Sequence, residues 1–415
     1  MSSRNDAISG ETVKELLDWL GQFGSDSEGG VSRLLYSKEW VDAQQSLKKL
    51  FEDEGLSTQF DEVGNLFGRL EGTTYPDETI LTGSHVDTVT NGGLYDGQYG
   101  ILAGFLALRY LKEKHGAPLR NLEVVSMAEE EGSRFPYSFW GSKNIAGQAK
   151  TEDVQGIKDF EGTSFDDAIH HAGFDYKKDP EQVRADLKSF VEIHVEQGNV
   201  LEKENIPVGI VRHIVGQRRY TITVNGEANH AGTTPMGYRA DAMNAASRMT
   251  CAINDMAVAE GDPLVATVGS MYLEPNTVNV VPGKATFTID IRHTEKNALV
   301  NFTEDVEAKL QEIAEQIGVE VAIDLWMDAD PVPMDQDIVK VMQAQCDQND
   351  VHYKLMHSGA GHDSQVIAPV IPTAMLFVPS HKGISHNPKE YTSPEHLAEG
   401  VQALIHTLYE LGYAE

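Results

Sequence analysis

A strand, a glycine-rich loop and a helix follow one another early in the chain. The apolar run 79–81 predicts a buried strand that ends at Gly83, and a second apolar stretch predicts a helix over about 100–114. His85 and Asp87 lie just past the strand. Because open α/β folds bind ligands at the carboxyl ends of their strands, this segment predicts such a fold with a site at that edge.

Three polar residues of this segment have the chemistry of a metal site. If His85 binds a cation through one ring nitrogen, Asp87 can accept the other N–H and fix the tautomer. Asp96 lies on a loop that contains Gly92, Gly93 and Gly97, where its two oxygens can reach two cations. The alternative is a polar loop in which Asp96 caps the following helix, and the remainder of the chain has to decide between them.

Composition limits the class of protein. The 415 residues favour two or three domains, and the net charge of −31 makes nucleic acids and anionic membranes improbable partners. Cys251 and Cys346 provide neither a disulfide framework nor a cysteine-rich zinc site. The first ten residues lack the apolar core of a signal peptide, and no apolar run reaches membrane-spanning length. We therefore expect a cytoplasmic protein.

The order of strands and helices predicts two kinds of architecture. Up to about residue 212 strands alternate with helices, which is typical of a mixed, mainly parallel sheet covered by helices. From there the pattern changes to β-α-β-β-α-β, the order of ferredoxin-like domains. We expect a catalytic domain formed by residues 1–212 and 329–415, with residues 213–328 inserted as an α+β domain.

Three adjacent acids follow another predicted strand. Glu129, Glu130 and Glu131 cannot all remain ionised there without a cation or full hydration to offset their repulsion. Adjacent side chains point in different directions, so one can bind a metal while its neighbour takes a proton from water. A solvated acidic turn is the alternative.

Two histidines complete a possible ligand set. His194 lies near the end of a predicted strand, and His386 follows another. A lone histidine in an apolar run is usually a core residue, but these two map to the same sheet edge as His85, Asp96 and Glu131. Imidazoles and carboxylates in this combination, with one bridging carboxylate, are what two borderline divalent ions need.

The inserted domain and the last segment carry candidates for substrate contacts. The loop Asn229–Met236 presents His230, which suits a hydrogen bond to a developing oxyanion. Arg292 ends a strand and is either a fork for a carboxylate or a surface ion pair. The turn Met356–Asp363 offers backbone N–H groups to an anion. Within it, His362 and Asp363 are alternatively supports for other site residues.

These segments together resemble the M20-type dinuclear metallohydrolases, and within them the N-carbamoyl-amidohydrolase branch. The similarity covers nearly the whole chain. Its blocks are Arg33-Leu-Leu-Tyr, Gly83-Ser-His-Val-Asp-Thr-Val, Ala128-Glu-Glu-Glu-Gly-Ser-Arg-Phe-Pro, Val195-Glu-Gln-Gly, Gly216-Gln-Arg-Arg-Tyr, Asn229-His-Ala-Gly-Thr-Thr-Pro-Met, Asn276-Thr-Val-Asn-Val-Val-Pro-Gly and Ser358-Gly-Ala-Gly-His-Asp.

The resemblance implies roles for individual residues. Two divalent ions, Mn²⁺ or Zn²⁺, would share Asp96 as a bridge. It assigns His85 and His194 to one ion and Glu131 and His386 to the other. Catalytic roles fall to Glu130 as general base, Asp87 as support for the metal ligands, and His230. The implied substrate contacts are Gln217, His230, Asn279, Arg292, Gly359 and Gly361.

The resemblance also implies an activity. We expect hydrolysis of the ureido C–N bond of allantoate, a small carboxylate-bearing ureide, with release of ammonia and carbon dioxide and formation of ureidoglycine. An N-carbamoyl-L-amino-acid or β-ureidopropionate amidohydrolase is the enzymatic alternative, and a silent binding or scaffold protein on the same fold is the non-enzymatic one. In this family the inserted domain commonly closes over the site and forms a homodimer interface, which we expect here.

Overall fold

The computed structural model describes residues 8–415. The expectation that the first ten residues are not a signal peptide therefore lies largely outside the described residues. The chain separates into two compact units. The second unit is His213–Val332, and the other described residues form the first. None of the helices within residues 8–415 combines the length and the apolar character needed to cross a bilayer.

The first segment of the chain alternates helices and strands. Its elements are α1 (Gly10–Gly21), α2 (Lys38–Asp53), β1 (Ser57–Phe60), β2 (Leu66–Leu70), β3 (Tyr75–His85), α3 (Gln98–His115), β4 (Arg120–Met127), α4 (Trp140–Ile145), α5 (Thr151–Val154), α6 (Phe165–His171), β5 (Leu187–Val195), α7 (Val200–Glu204) and β6 (Val208–Ile214). The first two helices begin where a side chain can accept a free N–H: Ser9 caps α1 and Ser37 caps α2.

The second unit follows. Its elements are β7 (Gly216–Asn225), β8 (Asn229–His230), a 3₁₀ turn (Met236–Tyr238), α8 (Ala242–Glu260), β9 (Val265–Glu274), β10 (Val280–Val281), β11 (Lys284–His293), α9 (Lys296–Ile317) and β12 (Glu320–Ala329). The four long strands form an antiparallel sheet in the order β12-β7-β11-β9. Alternate residues of β11 are buried, and α8 and α9 pack on that face with an apolar core.

The chain then returns to the first unit. The remaining elements are β13 (Val332–Pro333), α10 (Gln336–Gln348), β14 (Tyr353–Ser358), α11 (Asp363–Ile367), β15 (Thr373–Val378), a 3₁₀ turn (His381–Gly383) and α12 (Pro394–Tyr413). The first unit contains a nine-stranded sheet in the order β1-β2-β4-β3-β5-β15-β6-β13, and β14 pairs with β6. The strands β4, β3, β5 and β15 run parallel at its centre. This confirms the expected mixed, mainly parallel α/β fold.

The central parallel strands bring distant segments to one edge. β3 ends at His85, β5 ends one residue after His194, and β4 ends two residues before Glu129. The strand β3 does not end at Gly83 as expected. Gly83 has φ +141°, and a Cβ there would lie 2.0 Å from the carbonyl oxygen of Val125 on β4. The glycine therefore allows the two strands to approach closely, and it does not terminate β3.

Candidate active site

Asp96 lies among three imidazoles. Its Oδ1 is 3.3 Å from Nε2 of His85 and 3.2 Å from Nε2 of His194. Its Oδ2 is 3.3 Å from Nε2 of His386. Each oxygen of one carboxylate therefore faces a different set of imidazole nitrogens.

The sheet and one glycine hold this arrangement. His85 and His194 lie on the neighbouring parallel strands β3 and β5, with ring centroids 5.8 Å apart. Gly97 precedes α3 with φ +70°, and a Cβ there would lie 2.5 Å from Cε1 of His85. The start of α3 can approach the imidazole only because residue 97 is glycine. Gly97 is the N-cap, so Asp96 does not cap the helix and is available for other contacts.

Hydrogen bonds to the other ring nitrogens set the tautomers. Nδ1 of His85 is 3.1 Å from the Asp87 carbonyl oxygen and 3.3 Å from its Oδ1, and Nδ1 of His194 is 2.9 Å from the Val195 carbonyl oxygen. Both Nδ1 atoms face acceptors and so carry a hydrogen, which leaves the Nε2 atoms on the side of Asp96, where they are the ring atoms available to a metal ion. Nε2 of His194 is also 3.0 Å from the Gly97 nitrogen.

Asp87 supports both sides of the cluster. Its carboxylate is 1% exposed and accepts the backbone N–H groups of Glu130 at 2.9 Å and Glu131 at 3.2 Å. The same carboxylate faces His85. One side chain thus fixes a ring on β3 and the backbone of the acidic segment that follows β4.

The three adjacent glutamates have different contacts. The buried Glu129 carboxylate accepts the N–H groups of Gly132 and Trp140, so it stabilises the loop after β4. The Glu131 Oε1 lies 3.5 Å from Nε2 of His386. Glu130 and Glu131 form a group with His85 in which one ligand-type atom from each residue lies within 4.8 Å of the others. The contacts of Glu129 thus leave Glu130 and Glu131 as the two acids directed at the imidazoles.

The charges in the cluster shift its protonation. Burial, reinforced by the charge of Asp96, raises the pKa of Glu131 to about 8. Burial raises the pKa of Glu130 well above its usual range against the opposing effect of His85. For Asp96 burial would raise the pKa, but the adjacent His194 and His386 outweigh it and hold the pKa well below the usual range. Hydrogen bonding to Asp96 raises the pKa of His386 to about 9.

This donor set fits divalent metal ions. Besides the group just described, two sets of three residues have ligand atoms that all lie within 4.8 Å of one another: His85, Asp96 and His194, and Asp96, Glu131 and His386. Imidazole nitrogen and carboxylate oxygen are the ligands of borderline cations such as Zn²⁺ and Mn²⁺. The side-chain groups are therefore able to hold metal ions.

The glycine turn before α11 adjoins this cluster. The hydroxyl of Ser358 stabilises the turn by accepting the Ala360 N–H at 3.1 Å. The Nε2 atom of the buried His362 lies 2.9 Å from the same hydroxyl oxygen. The His362 ring packs against His194 with centroids 4.7 Å apart. Its contacts thus agree with the supporting role considered from the sequence. Gly359 and Gly361 lie in this same turn.

Four of the implied substrate contacts lie in the second unit. Gln217 on β7 is paired in register with Arg292 on β11. The Nε and Nη2 atoms of Arg292 donate to the two oxygens of Asp290 at 2.8 and 2.9 Å, and Arg219 donates to the same carboxylate. The ion pair that the sequence left open for Arg292 is thus present, and Asp290 holds the guanidinium in a fixed orientation.

His230 lies in the exposed loop that contains β8. Its Nδ1 accepts the N–H groups of Gly232 at 3.0 Å and Thr233 at 3.2 Å. The ring hydrogen is therefore on Nε2, which makes that atom a donor. Asn279 is beside it, because the Asn279 carbonyl oxygen accepts the N–H of Ala231.

The family follows from these features and from comparison with known proteins. Residues 81–410 match the sequence profile of Peptidase family M20/M25/M40. The chain belongs to this family. It is 54% identical over 403 residues to the allantoate amidohydrolase of Escherichia coli strain K12, covering 97% of this chain and 98% of the relative. It is 47% identical over 402 residues to the allantoate amidohydrolase of Bacillus subtilis strain 168, with coverage of 97% and 98%.

A solved structure has the same fold. The amidase of the hydantoinase/carbamoylase family from Burkholderia multivorans superposes with a TM-score of 0.91 at 32% identity, covering 97% of each chain. The M20 membership and the two curated relatives show that this chain is a hydrolase.

Two residues that contact Asp96 in this M20 chain were not predicted from the sequence. Gln197 donates through Nε2 to Asp96 Oδ2 at 2.8 Å, while its buried Oε1 has no hydrogen-bond partner among the described residues. Ser385 Oγ lies 2.9 Å from the same Oδ2. Gln197 falls within one of the family blocks and Ser385 precedes His386, so both positions carried a signal that was not used.

Arg33 was part of a family block but had no assigned role. Its buried guanidinium donates to the carbonyl oxygens of Leu20, Phe23 and Val86. Burial lowers the pKa of Arg33 to about 9, and the charge of Asp87 opposes the shift. Arg33 thereby ties the residues just after β3 to the end of α1.

Proposed function

We propose that this chain hydrolyses the ureido C–N bond of allantoate in a metal-dependent reaction. One water molecule is consumed, ureidoglycine is formed, and the released carbamate breaks down to ammonia and carbon dioxide. The observation that carries the proposal is Asp96, whose two oxygens face His85 and His194 on one side and His386 on the other. The two relatives named allantoate amidohydrolase support the choice of substrate.

The proposed cofactor is a pair of divalent cations, Mn²⁺ or Zn²⁺. His85 and His194 would hold one cation and Glu131 and His386 the other, with Asp96 shared. When bound, such cations supply Lewis acidity that polarises the carbamoyl oxygen and makes a water molecule more acidic. Asp87 keeps the His85 ring and the Glu131 backbone in place for this role.

Glu130 is the proposed general base. It is next to Glu131 in sequence, and its carboxyl group lies with the His85 imidazole and the Glu131 carboxyl group. Burial raises the pKa of Glu130 well above the usual range of a carboxyl group, and a raised pKa makes a carboxylate a stronger general base. We assign to Glu130 the removal of a proton from the attacking water and its transfer to the leaving nitrogen.

The second unit supplies the proposed substrate contacts. His230 presents an Nε2–H donor, which suits hydrogen bonding to the oxyanion that develops on the carbamoyl oxygen. Gln217, Asn279 and Arg292 are assigned to the rest of the substrate, and Arg292 carries the charge that a carboxylate needs. The turn with Gly359 and Gly361 is proposed as a further contact.

We also propose that the second unit is the lid and the homodimer interface of a cytoplasmic enzyme. It exposes large apolar side chains: Met236, Tyr238, Tyr272 and Val278. Side chains of this kind suit burial against a second copy of the chain. Both cysteines are free, which fits a reducing compartment. Sedimentation velocity should give the mass of a dimer, and a monomer at micromolar concentration would refute this assignment.

A substrate panel tests the activity. Purified protein reconstituted with Mn²⁺ is assayed on allantoate, ureidoglycolate, N-carbamoyl-L-amino acids and β-ureidopropionate, with ammonia release as the readout. We expect the highest kcat/KM on allantoate, with ureidoglycine as the first product. A higher kcat/KM on an N-carbamoyl amino acid would show that this compound, and not allantoate, is the preferred substrate. No hydrolysis of any ureide would reject the proposal.

A further inference from the structure

Glu390 binds the loop that contains Asp96. It lies between β15 and α12, is 5% exposed, and is 294 positions away from Asp96 in the chain. Its Oε2 accepts the backbone N–H groups of Tyr95 at 2.8 Å and Asp96 at 3.2 Å. A buried carboxylate that accepts two backbone N–H groups makes a strong and directional link between two segments.

The other oxygen of Glu390 connects to the loop that contains His386. Oε1 is 2.9 Å from Oγ of Ser385, the residue before His386. The same hydroxyl is 2.9 Å from Asp96 Oδ2. The hydroxyl has one hydrogen, which it donates to one of these two carboxylates at a time. Ser385 therefore lies between Glu390 and Asp96, and Glu390 contacts both the backbone of Asp96 and the residue adjacent to His386.

This link matters most for His386. His85 and His194 are held by paired strands of the central sheet, whereas His386 lies in a loop, with its side chain 49% exposed and φ at +54°. The loop that contains Asp96 packs closely against Glu390 at Gly93, where a Cβ would lie 2.6 Å from the Cβ of Glu390. The position of His386 relative to Asp96 thus depends on contacts between two loops.

We propose that Glu390 is a positioning residue that holds Asp96 and His386 together for the second cation, the one assigned to Asp96, Glu131 and His386. Glu390 provides no atom to the ligand groups themselves. It acts by fixing the two loops so that Asp96 Oδ2 and His386 Nε2 meet. The inference rests on the proposed pair of cations.

The test compares variants of the full-length chain by metal titration. Protein stripped with a chelator is titrated with Mn²⁺ by isothermal titration calorimetry, and bound metal is counted by mass spectrometry after dialysis. Glu390→Ala removes both links, whereas Glu390→Gln keeps an oxygen for the two N–H groups and offers its amide hydrogens to Ser385. Glu399→Ala, an exposed position on α12, is the control.

We expect wild type, Glu390→Gln and Glu399→Ala to bind two ions with affinities within about threefold of one another. Glu390→Ala should keep the first ion and bind the second at least tenfold more weakly. Equal loss of both ions in Glu390→Ala, or no loss, overturns the inference, as does failure of Glu390→Gln to restore binding. If wild type itself binds fewer than two ions, the proposed cofactor has failed and the inference with it.

A second variant covers the case in which Glu390→Ala does not fold. Ser385→Ala removes the hydroxyl between Glu390 and Asp96 but leaves the two backbone hydrogen bonds of Glu390 intact. We expect a selective weakening of the second ion by about tenfold. Unchanged affinity for that ion would also overturn the inference.

Discussion

Replacing Asp87 with asparagine should weaken metal binding without unfolding the protein. Each oxygen of Asp87 accepts a backbone N–H, from Glu130 at 2.9 Å and from Glu131 at 3.2 Å. Asparagine has one oxygen, so its NH₂ group would face the second N–H. Because the site is buried, leaving that donor unsatisfied costs about 1–3 kcal/mol. The Nδ1 of His85 also loses an ionised neighbour.

The lost contacts hold His85 and the backbone of Glu131, which are both at the proposed metal site. We therefore expect the substitution to lower the affinity for metal. Substitutions of this kind reduce affinity by about 10–100-fold, or roughly 1.4–2.8 kcal/mol. The assay is titration of chelator-stripped Asp87→Asn with Mn²⁺ or Zn²⁺ by calorimetry. Affinities within about threefold of wild type would refute the reasoning, because they would show that Asp87 does not act on the ligands.

Asp159 offers a control for general destabilisation. Its buried carboxylate accepts two backbone N–H groups through Oδ1 and the Arg134 Nε–H through Oδ2 at 3.0 Å, so asparagine there loses an ion pair, but Asp159 belongs to none of the ligand groups. Asp159→Asn should lower the midpoint of thermal unfolding and leave metal affinity unchanged. Equal losses of metal affinity in both variants would attribute the effect to general destabilisation.

Three further outcomes are expected. Glu130→Gln should lower kcat by about 10²–10⁴-fold with metal content unchanged; lost metal would show that Glu130 is a ligand. Arg292→Ala should raise KM for carboxylate substrates about 10–100-fold, as expected for losing charge-assisted hydrogen bonds, and an unchanged KM would remove it from the site. Metal affinity should rise from pH 6 to 8. The reason is that Glu131 (pKa about 8) and His386 (pKa about 9) must lose their protons before they can bind a cation, and less free energy is needed for this at higher pH. An affinity independent of pH would contradict this.

The grouping of these imidazoles and carboxylates could be predicted from the sequence because it depends on simple features. Parallel strands end at one edge of a sheet, so polar residues that follow apolar runs come together there. His85 and His194 occupy the ends of adjacent strands for this reason. The antiparallel order of the second unit was equally visible, because the alternation of β7 and β11 appears directly in the residues.

Other features depend on contacts that no local pattern records. Gly83 was interpreted as a strand end, but its role is set by the carbonyl oxygen of Val125 on a neighbouring strand. The three adjacent glutamates differ in their contacts, and the difference depends on whether a carboxylate accepts backbone N–H groups, as that of Glu129 does from Trp140. The link from Glu390 to Asp96 joins loops that are far apart in sequence.

The central claim is that two cations share Asp96, and anomalous diffraction from crystals grown with Mn²⁺ or Zn²⁺ tests it most directly. We expect two anomalous peaks about 3.5–4 Å apart on either side of the Asp96 carboxylate. One peak should lie next to His85 and His194, and the other next to Glu131 and His386. A single peak, or peaks bound by other residues, would contradict the account.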